Sequence, residues 1–113
     1  MKILVADDEP FILELMETVL KSSGHTVRIV ADGVHALKAL EEEKFDLVIT
    51  DFSMPKMDGL VLTKEIKARN PAQTVVLLTG YGDEDAPPPI VDHVLTKPVK
   101  IDALTDLVDK LAK

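Results

Sequence analysis

The stretch "ILVADDEP" (Ile3–Pro10) places a short apolar run directly before three acidic residues. Ile3–Ala6 are apolar and mostly branched, which is typical of a buried strand. Asp7, Asp8 and Glu9 follow at its end, where unpaired charges beside a hydrophobic core are costly. Two carboxylates about 4 Å apart repel each other by about 4 kcal/mol at an effective dielectric constant near 20. A divalent cation would offset this repulsion, so the stretch predicts a strand that leads into a metal site.

The composition indicates a single globular domain over residues 1–113, since 113 residues with 46% hydrophobic content can form one sizeable core. Cysteine is absent, which excludes disulfides and thiolate metal sites and is consistent with a cytoplasmic protein. No apolar run approaches the roughly 20 residues that a membrane-spanning helix needs. The formal net charge of −7 argues against direct binding of nucleic acid.

Short apolar runs alternate with longer amphipathic segments along the chain. The runs predict strands at Ile3–Ala6, Val27–Val30, Leu47–Ile49, Val75–Leu78 and, more weakly, Val94–Leu95. The amphipathic segments predict helices over Phe11–Lys21, Val34–Glu43, Leu60–Arg69 and a last segment that carries Leu104, Leu107, Val108 and Leu111. This alternation predicts a parallel sheet with helices on both faces, and ligands bind such sheets beyond the carboxyl ends of the strands.

The predicted helices also suggest which of their side chains face the core. In the first helix the apolar stripe predicts inward positions for Ile12, Leu15, Val19 and Leu20. In the second helix it predicts inward positions for Val34, Leu37 and Leu40, with the acidic run Glu41–Glu43 outward.

Polar residues follow four of the five predicted strands: Asp7 and Asp8, Asp51, Thr79 and Lys97. Singly, each has an ordinary explanation as a turn residue, a helix cap or a solvated side chain. If the sheet brings these residues to one edge, together they indicate a function more specifically than any of them does alone. Carboxylates favour a hard cation such as Mg²⁺, while an ammonium and a hydroxyl add charge and a donor for a phosphoryl group. An aspartate in that setting can act as a nucleophile, so the set predicts phosphoryl-transfer chemistry.

The motifs "VADDEP", "DLVITDFSMPKMDG", "LLTG" and "LTKP" occur in this order. Together they resemble a response-regulator receiver domain, the phosphoacceptor half of a two-component signalling pair, over essentially the whole chain. The resemblance implies a flavodoxin-like, doubly wound α/β fold with a five-stranded parallel sheet in the order 2-1-3-4-5. It also implies that Asp51 is the phosphoacceptor, that Thr79 is the switch hydroxyl and that Lys97 contacts the phosphate.

For the metal, the resemblance implies Mg²⁺ bound by Asp8, Asp51 and the backbone carbonyl of Ser53, with Asp7 acting through water. Four further residues are expected to modulate the site. Gly80 would let the donor approach, Tyr81 would influence the phosphate lifetime together with Ser53, Val94 stands where the family has a switch aromatic, and Pro98 would follow a cis peptide bond.

The implied function is to take a phosphoryl group from a phosphohistidine on a sensor histidine kinase or a histidine phosphotransfer protein. The domain would then change its interactions with partners, and it would catalyse only its own phosphorylation and dephosphorylation. No membrane or direct nucleic-acid contact is expected, and a homodimer is left open. Two alternatives remain: a Mg²⁺-dependent phosphohydrolase, for which no segment is long enough to form a substrate cap, and an interaction module that does not use the motif.

Two features depart from the family pattern. Pro87, Pro88 and Pro89 lie between Thr79 and the last strand, and prolines disfavour a helix interior. We therefore expect the family's fourth helix to be short or replaced by a Pro-rich loop. Val94 has no ring to act as a switch. With both departures, phosphorylation would be read through mobility of the loop at residues 80–92 or through another face, or else the domain would only pass phosphate on or dock to its kinase.

Overall fold

The computed structural model describes residues 1–54, 57–80 and 91–112. Five strands form one sheet in the order β2-β1-β3-β4-β5, and every neighbouring pair is parallel. The strands are β1 (Lys2–Ala6), β2 (Thr26–Val30), β3 (Leu47–Asp51), β4 (Thr74–Thr79) and β5 (His93–Thr96). The helices within the described residues are α1 (Pro10–Ser22), α2 (Gly33–Glu42), α3 (Gly59–Arg69) and α4 (Ile101–Ala112). The predicted α/β fold and strand order are confirmed.

Two hydrophobic cores lie on opposite faces of the sheet, because side chains along a strand alternate between its faces. On one face α1 and α4 pack on the sheet, and the buried residues there include Ile3, Leu13, Met16, Leu47, Leu78, Leu104 and Val108. On the other face α2 and α3 pack, and the buried residues there include Leu4, Ala36, Ala39, Phe45, Val48, Leu62 and Ile66. The central strands are therefore covered on both sides, which explains their nearly continuous apolar sequences.

The helices begin at the edge where the preceding strands end. Pro10 starts α1, where its missing N–H is not needed by the helix. Asp32 caps α2 by accepting a hydrogen bond from the backbone N–H of His35 at 2.8 Å. Asp58 caps α3 by accepting bonds from the N–H groups of the second and third helical residues, each at 2.9 Å. Each strand–helix junction is thus held close to the carboxyl edge of the sheet.

The face that α2 turns to the sheet differs from the predicted one. Ala36 and Ala39 are fully buried, Leu37 and Leu40 are half-buried at the flanks, and Val34 is 53% exposed. The prediction that Val34 faces the core is wrong. Because small side chains allow a helix to approach a sheet closely, the contact line of α2 follows its alanines, and the larger residues cover the sides.

In α1 the contact line is also displaced from the prediction. Leu20 is buried as predicted, but Leu13 and Met16 are the other buried residues of the helix. The residues predicted to face inward are only half-buried and pack at the margin of the core: Ile12, Leu15 and Val19. The last helix behaves as predicted, with Leu104 and Val108 buried.

Two expectations concern residues outside the described part of the chain. The replacement of a fourth family helix by a Pro-rich segment at Pro87–Pro89 falls there, as does Tyr81. None of the described helices has both the length and the apolar character that crossing a bilayer requires.

Candidate functional site

Three carboxylates converge where β1 and β3 end side by side. Asp7 follows β1 and is fully buried, while Asp8 is exposed. Asp51 is the last residue of β3 and is 4% exposed. Each of the three offers an oxygen within 4.8 Å of the others. Since β1 and β3 are neighbours in the sheet, the topology accounts for this cluster.

Lys97 brings a positive charge to the cluster from the end of β5. Its Nζ lies 3.1 Å from Asp51 Oδ2 and 3.3 Å from Asp7 Oδ2, and its side chain is 19% exposed. Its backbone N–H donates to the carbonyl of Thr79 at 2.6 Å, which ties the end of β5 to the end of β4. The Lys97–Pro98 peptide bond is cis, as the resemblance implies.

The cluster is electrostatically coupled. Burial raises the pKa of Asp7, and burial together with the charge of Asp7 raises the pKa of Asp51. Burial opposes the charge on Lys97, but the hydrogen bond to Asp51 and the charge of Asp7 outweigh it, so the pKa of Lys97 is raised. The ammonium therefore stays charged and partly compensates two carboxylates that are costly to ionise.

The donor set fits a hard divalent cation. All three side chains offer carboxylate oxygen, which Mg²⁺ prefers. Asp7 Oδ1 accepts a hydrogen bond from the backbone N–H of Glu9 at 2.9 Å. Asp7 Oδ2 is buried and has no hydrogen-bond partner of good geometry among the described residues, although Lys97 lies within ion-pair distance. A buried oxygen left in this state has a free lone pair for a metal or a metal-bound water.

Asp51 is held in place by the backbone around it. The N–H of Phe52 donates to the carbonyl of Leu78 at 2.9 Å, which extends the β3–β4 pairing beyond Asp51. The N–H of Gly59 donates to the carbonyl of Phe52 at 2.8 Å, and Met54 is buried beneath the loop. These contacts fix the end of β3, so the carboxylate of Asp51 projects from a rigid support.

The other described residues that were predicted for the site lie around the charged cluster. Ser53 is exposed in the loop after β3, and Gly80 is half-buried directly after β4. Val94 is 36% exposed on β5, and Pro98 is exposed. The sheet register pairs Thr79 with the residue before Lys97, so Thr79 ends its strand at the same edge.

Sequence reasoning missed two contributions. A Cβ on Gly59 would collide with the backbone carbonyl of Asp51, so this glycine permits the close approach of α3 to the site. The sequence places Glu9 beside the two aspartates, but its carboxylate lies outside the metal-ligand cluster and 3.9 Å from Lys97 Nζ. The glycine in "MDG" is a sequence signal for the close approach of α3, whereas nothing in the sequence indicates the direction of the Glu9 side chain.

Comparison with known proteins matches this chain to one family. The family described as "Response regulator receiver domain" matches residues 3–109. The transcriptional regulatory protein GlrR of Escherichia coli is 40% identical over 111 residues, which is 95% of this chain and 25% of that protein. The chain thus spans about a quarter of the length of this curated relative.

Solved structures are similar over almost the whole chain. The response regulator protein TrrA from Thermotoga maritima, in complex with Mg²⁺-BeF, has a TM-score of 0.89 and 35% identity, with 97% of each chain covered. A structure of TrrA in complex with the histidine kinase ThkA matches with a TM-score of 0.90 and 33% identity, covering 99% of this chain and 98% of the matched one.

Proposed function

The chain belongs to the response-regulator receiver family, and from this premise we propose that Asp51 accepts a phosphoryl group and thereby carries a signal. The observation that supports this role is the environment of its carboxylate. Asp51 is buried at the end of β3, with Lys97 Nζ 3.1 Å away and oxygens of Asp7 and Asp8 within 4.8 Å. A nucleophile, a cation site and a nearby ammonium are the groups that phosphoryl transfer needs.

In the proposed reaction an Asp51 oxygen attacks the phosphorus of a phosphohistidine in line with the leaving nitrogen. A P–O bond forms, the P–N bond breaks, and its electron pair returns to the imidazole. Lys97 compensates charge on the phosphoryl oxygens, and Thr79 supplies a hydroxyl donor from the neighbouring strand end. Water later cleaves the acyl phosphate and regenerates the carboxylate.

Mg²⁺ is the proposed cofactor, and it would supply positive charge to the transferring phosphoryl oxygens. Asp8 and Asp51 would bind it directly, the backbone carbonyl of Ser53 would be a third ligand, and Asp7 would act through water. The complex of TrrA with Mg²⁺-BeF supports this assignment at the level of the family.

Gly80, Tyr81, Val94 and Pro98 are proposed to adjust the rate and readout of this chemistry rather than to carry it. The donor is proposed to be a histidine kinase, which the complex of TrrA with ThkA supports, or a histidine phosphotransfer protein. The proposed location is the cytoplasm. The net charge of −7 disfavours direct contact with DNA by this domain, and a homodimer remains a further proposal.

The test uses acetyl phosphate as a small-molecule donor. The purified protein is incubated with acetyl phosphate and Mg²⁺, and the phosphate on each chain is counted by intact mass. We expect a single phosphate that hydroxylamine removes, that EDTA prevents and that Asp51→Asn abolishes. Asp109→Asn is the matched control, because it removes an exposed aspartate on α4. Turnover of the donor that persists in Asp51→Asn would favour a hydrolase, and the absence of both labelling and turnover would favour an interaction module.

A further inference from the structure

Glu9 occupies the N-cap position of α1 but does not cap the helix. Its backbone is extended, and its side chain makes no capping hydrogen bond. Asp32 and Asp58, the N-caps of α2 and α3, both accept hydrogen bonds from the first turn of their helices. The Glu9 carboxylate instead lies 3.9 Å from Lys97 Nζ. The recorded partner of its carboxylate is therefore Lys97 rather than the first turn of α1.

Lys97 has inner and outer carboxylate neighbours. The inner ones, Asp51 at 3.1 Å and Asp7 at 3.3 Å, have side chains only 5% and 0% exposed. The outer one, Glu9, is 60% exposed. The ammonium thus lies between the proposed metal cluster and a carboxylate at the rim.

A divalent cation among the aspartates would compete with Lys97 for the negative charge of the same two carboxylates. Asp7 and Asp51 cannot pair closely with the ammonium and at the same time give their full charge to a metal, because the two cations repel each other. Lys97 would then pair less closely with these aspartates, and Glu9, at 3.9 Å, is the other carboxylate that the described structure places beside its Nζ.

We propose that Glu9 is a positioning residue that acts through Lys97. It provides the outer counter-ion that lets the ammonium leave the inner carboxylates when they bind Mg²⁺. This inference rests on the proposed function, since it concerns the same cation site, and it assigns to Glu9 neither metal ligation nor contact with the phosphoryl group.

The experiment measures binding of Mg²⁺ alone, by titration calorimetry, in a double-mutant cycle. Glu9→Gln is expected to weaken Mg²⁺ binding by about two- to fivefold, the upper part of the range for an exposed ion pair. In the Lys97→Met background, the same substitution should weaken binding by less than about 1.5-fold. Glu14→Gln is the control, because it removes an exposed acidic charge from the same helix.

Each outcome decides a separate point. Equal effects of Glu9→Gln in both backgrounds would show a simple charge effect on the metal and overturn the role through Lys97, as would no effect in either. Failure of the wild-type protein itself to bind Mg²⁺ would instead contradict the cation site of the proposed function. Thermal unfolding without Mg²⁺ checks that every variant is folded.

Discussion

Gly59 allows helix α3 to begin against the backbone of the proposed phosphoacceptor. A Cβ at this position would overlap the Asp51 carbonyl and lie 2.8 Å from Leu77 Cδ1. The Leu77 methyl group is the end of a side chain and can turn aside, but the Asp51 carbonyl belongs to the backbone of a central strand and cannot move without disturbing the sheet. The residue therefore couples the packing of α3 to the position of the Asp51 carboxylate.

We expect Gly59→Ala to destabilise the fold by about 2 kcal/mol, the usual cost of overpacking, and to slow labelling by acetyl phosphate. Urea unfolding and the labelling rate are the measurements. Gly24→Ala is the control, at a position far from the site. The φ angle of Gly24 is 93°, which strains alanine, although a Cβ added there would have no neighbouring atom within 4 Å. It should cost about 1 kcal/mol and leave labelling unchanged. Normal labelling of Gly59→Ala would show that the site does not depend on this contact.

Asp51 is expected to cost stability in the absence of metal. Burial raises its pKa, and the charge of Asp7 raises it further, so the ionised form is disfavoured in the folded state. Aspartates of the unfolded chain titrate near 3.9, so the folded protein binds this proton more tightly than the unfolded chain does. The contribution of Asp51 to stability therefore falls as pH rises and is least favourable above its folded pKa. Lys97 would retain Asp7 as a partner after Asp51 is neutralised.

Asp51→Asn should therefore raise the unfolding temperature at pH 7 in EDTA. A gain on the order of 1 kcal/mol corresponds to roughly 4 °C for a domain of this size. Differential scanning calorimetry measures the change, and Asp109→Asn should leave the temperature within about 1 °C since it is an exposed site. A lower unfolding temperature for Asp51→Asn would mean that its ion pair with Lys97 outweighs the cost of burial.

At the scale of elements, Asp92 anchors the start of β5 to its neighbours. Its Oδ2 accepts hydrogen bonds from the N–H of Val75 and from Lys67 Nζ, both at 2.8 Å. Lys67 also donates to the carbonyl of Gln73 at 2.5 Å. Burial opposes ionisation of Asp92, but the bonds from Lys67 and Val75 outweigh it and hold its pKa below the ordinary value. One carboxylate therefore joins α3, β4 and β5.

Asp92→Asn should destabilise the protein by about 0.5 kcal/mol at pH 7, since the pair is partly exposed and the amide oxygen can still accept from Val75. Because the folded pKa is lowered, the wild-type advantage is complete above the unfolded pKa near 3.9 and falls as pH drops through the folded pKa. Urea unfolding at pH 7, 5 and 3.5 should show the difference shrinking only at the lowest pH. A difference that is constant with pH would exclude the ion pair as its source, and Glu65→Gln on α3 serves as the surface control.

Element positions could be predicted from the sequence, but helix faces only in part. Branched apolar runs mark the strands directly, since a strand covered on both faces tolerates few polar residues. In α2, Val34, Leu37 and Leu40 suggested the buried stripe, yet Ala36 and Ala39 contact the sheet. Hydrophobicity identifies an apolar half of a helix, whereas the line of closest contact depends on how near the backbone can approach, and this is a tertiary property.

At the scale of the whole molecule, the strand order explains why the convergence of the candidate site residues could be predicted. Parallel strands end at one edge, so the acidic residues after β1, the one at the end of β3 and the lysine after β5 had to share it. The full burial of Asp7 beside the exposed Asp8, and the contact of Glu9 with Lys97, could not be predicted. They depend on side-chain directions and on the packing of loops that are distant in sequence.

The same edge carries an exposed apolar margin around the charged cluster. Each helix begins there, and among the described residues most of the exposed large apolar side chains lie in the first three positions of a helix: Phe11, Val34, Val61 and Ile101. Phe11 is 75% exposed and close in sequence to the aspartates of β1. Aromatic residues are enriched where proteins dock, so Phe11 is a suitable contact for a protein that delivers phosphate to Asp51.

Phe11→Ala should therefore separate docking from chemistry. The assay uses a histidine kinase that phosphorylates the wild-type chain, at limiting acceptor concentration. We expect phosphoryl transfer to the variant to slow by about tenfold, because the lost aromatic contact is worth somewhat more than 1 kcal/mol. Labelling by acetyl phosphate should be unchanged, because the small donor needs no protein surface. Val34→Ala, which truncates an exposed residue of α2 on the opposite face of the sheet, is the control and should leave both rates unchanged. If Phe11→Ala slowed labelling by both donors equally, the defect would lie in the site itself. If only Val34→Ala slowed transfer from the kinase, the docking surface would lie on the α2 side.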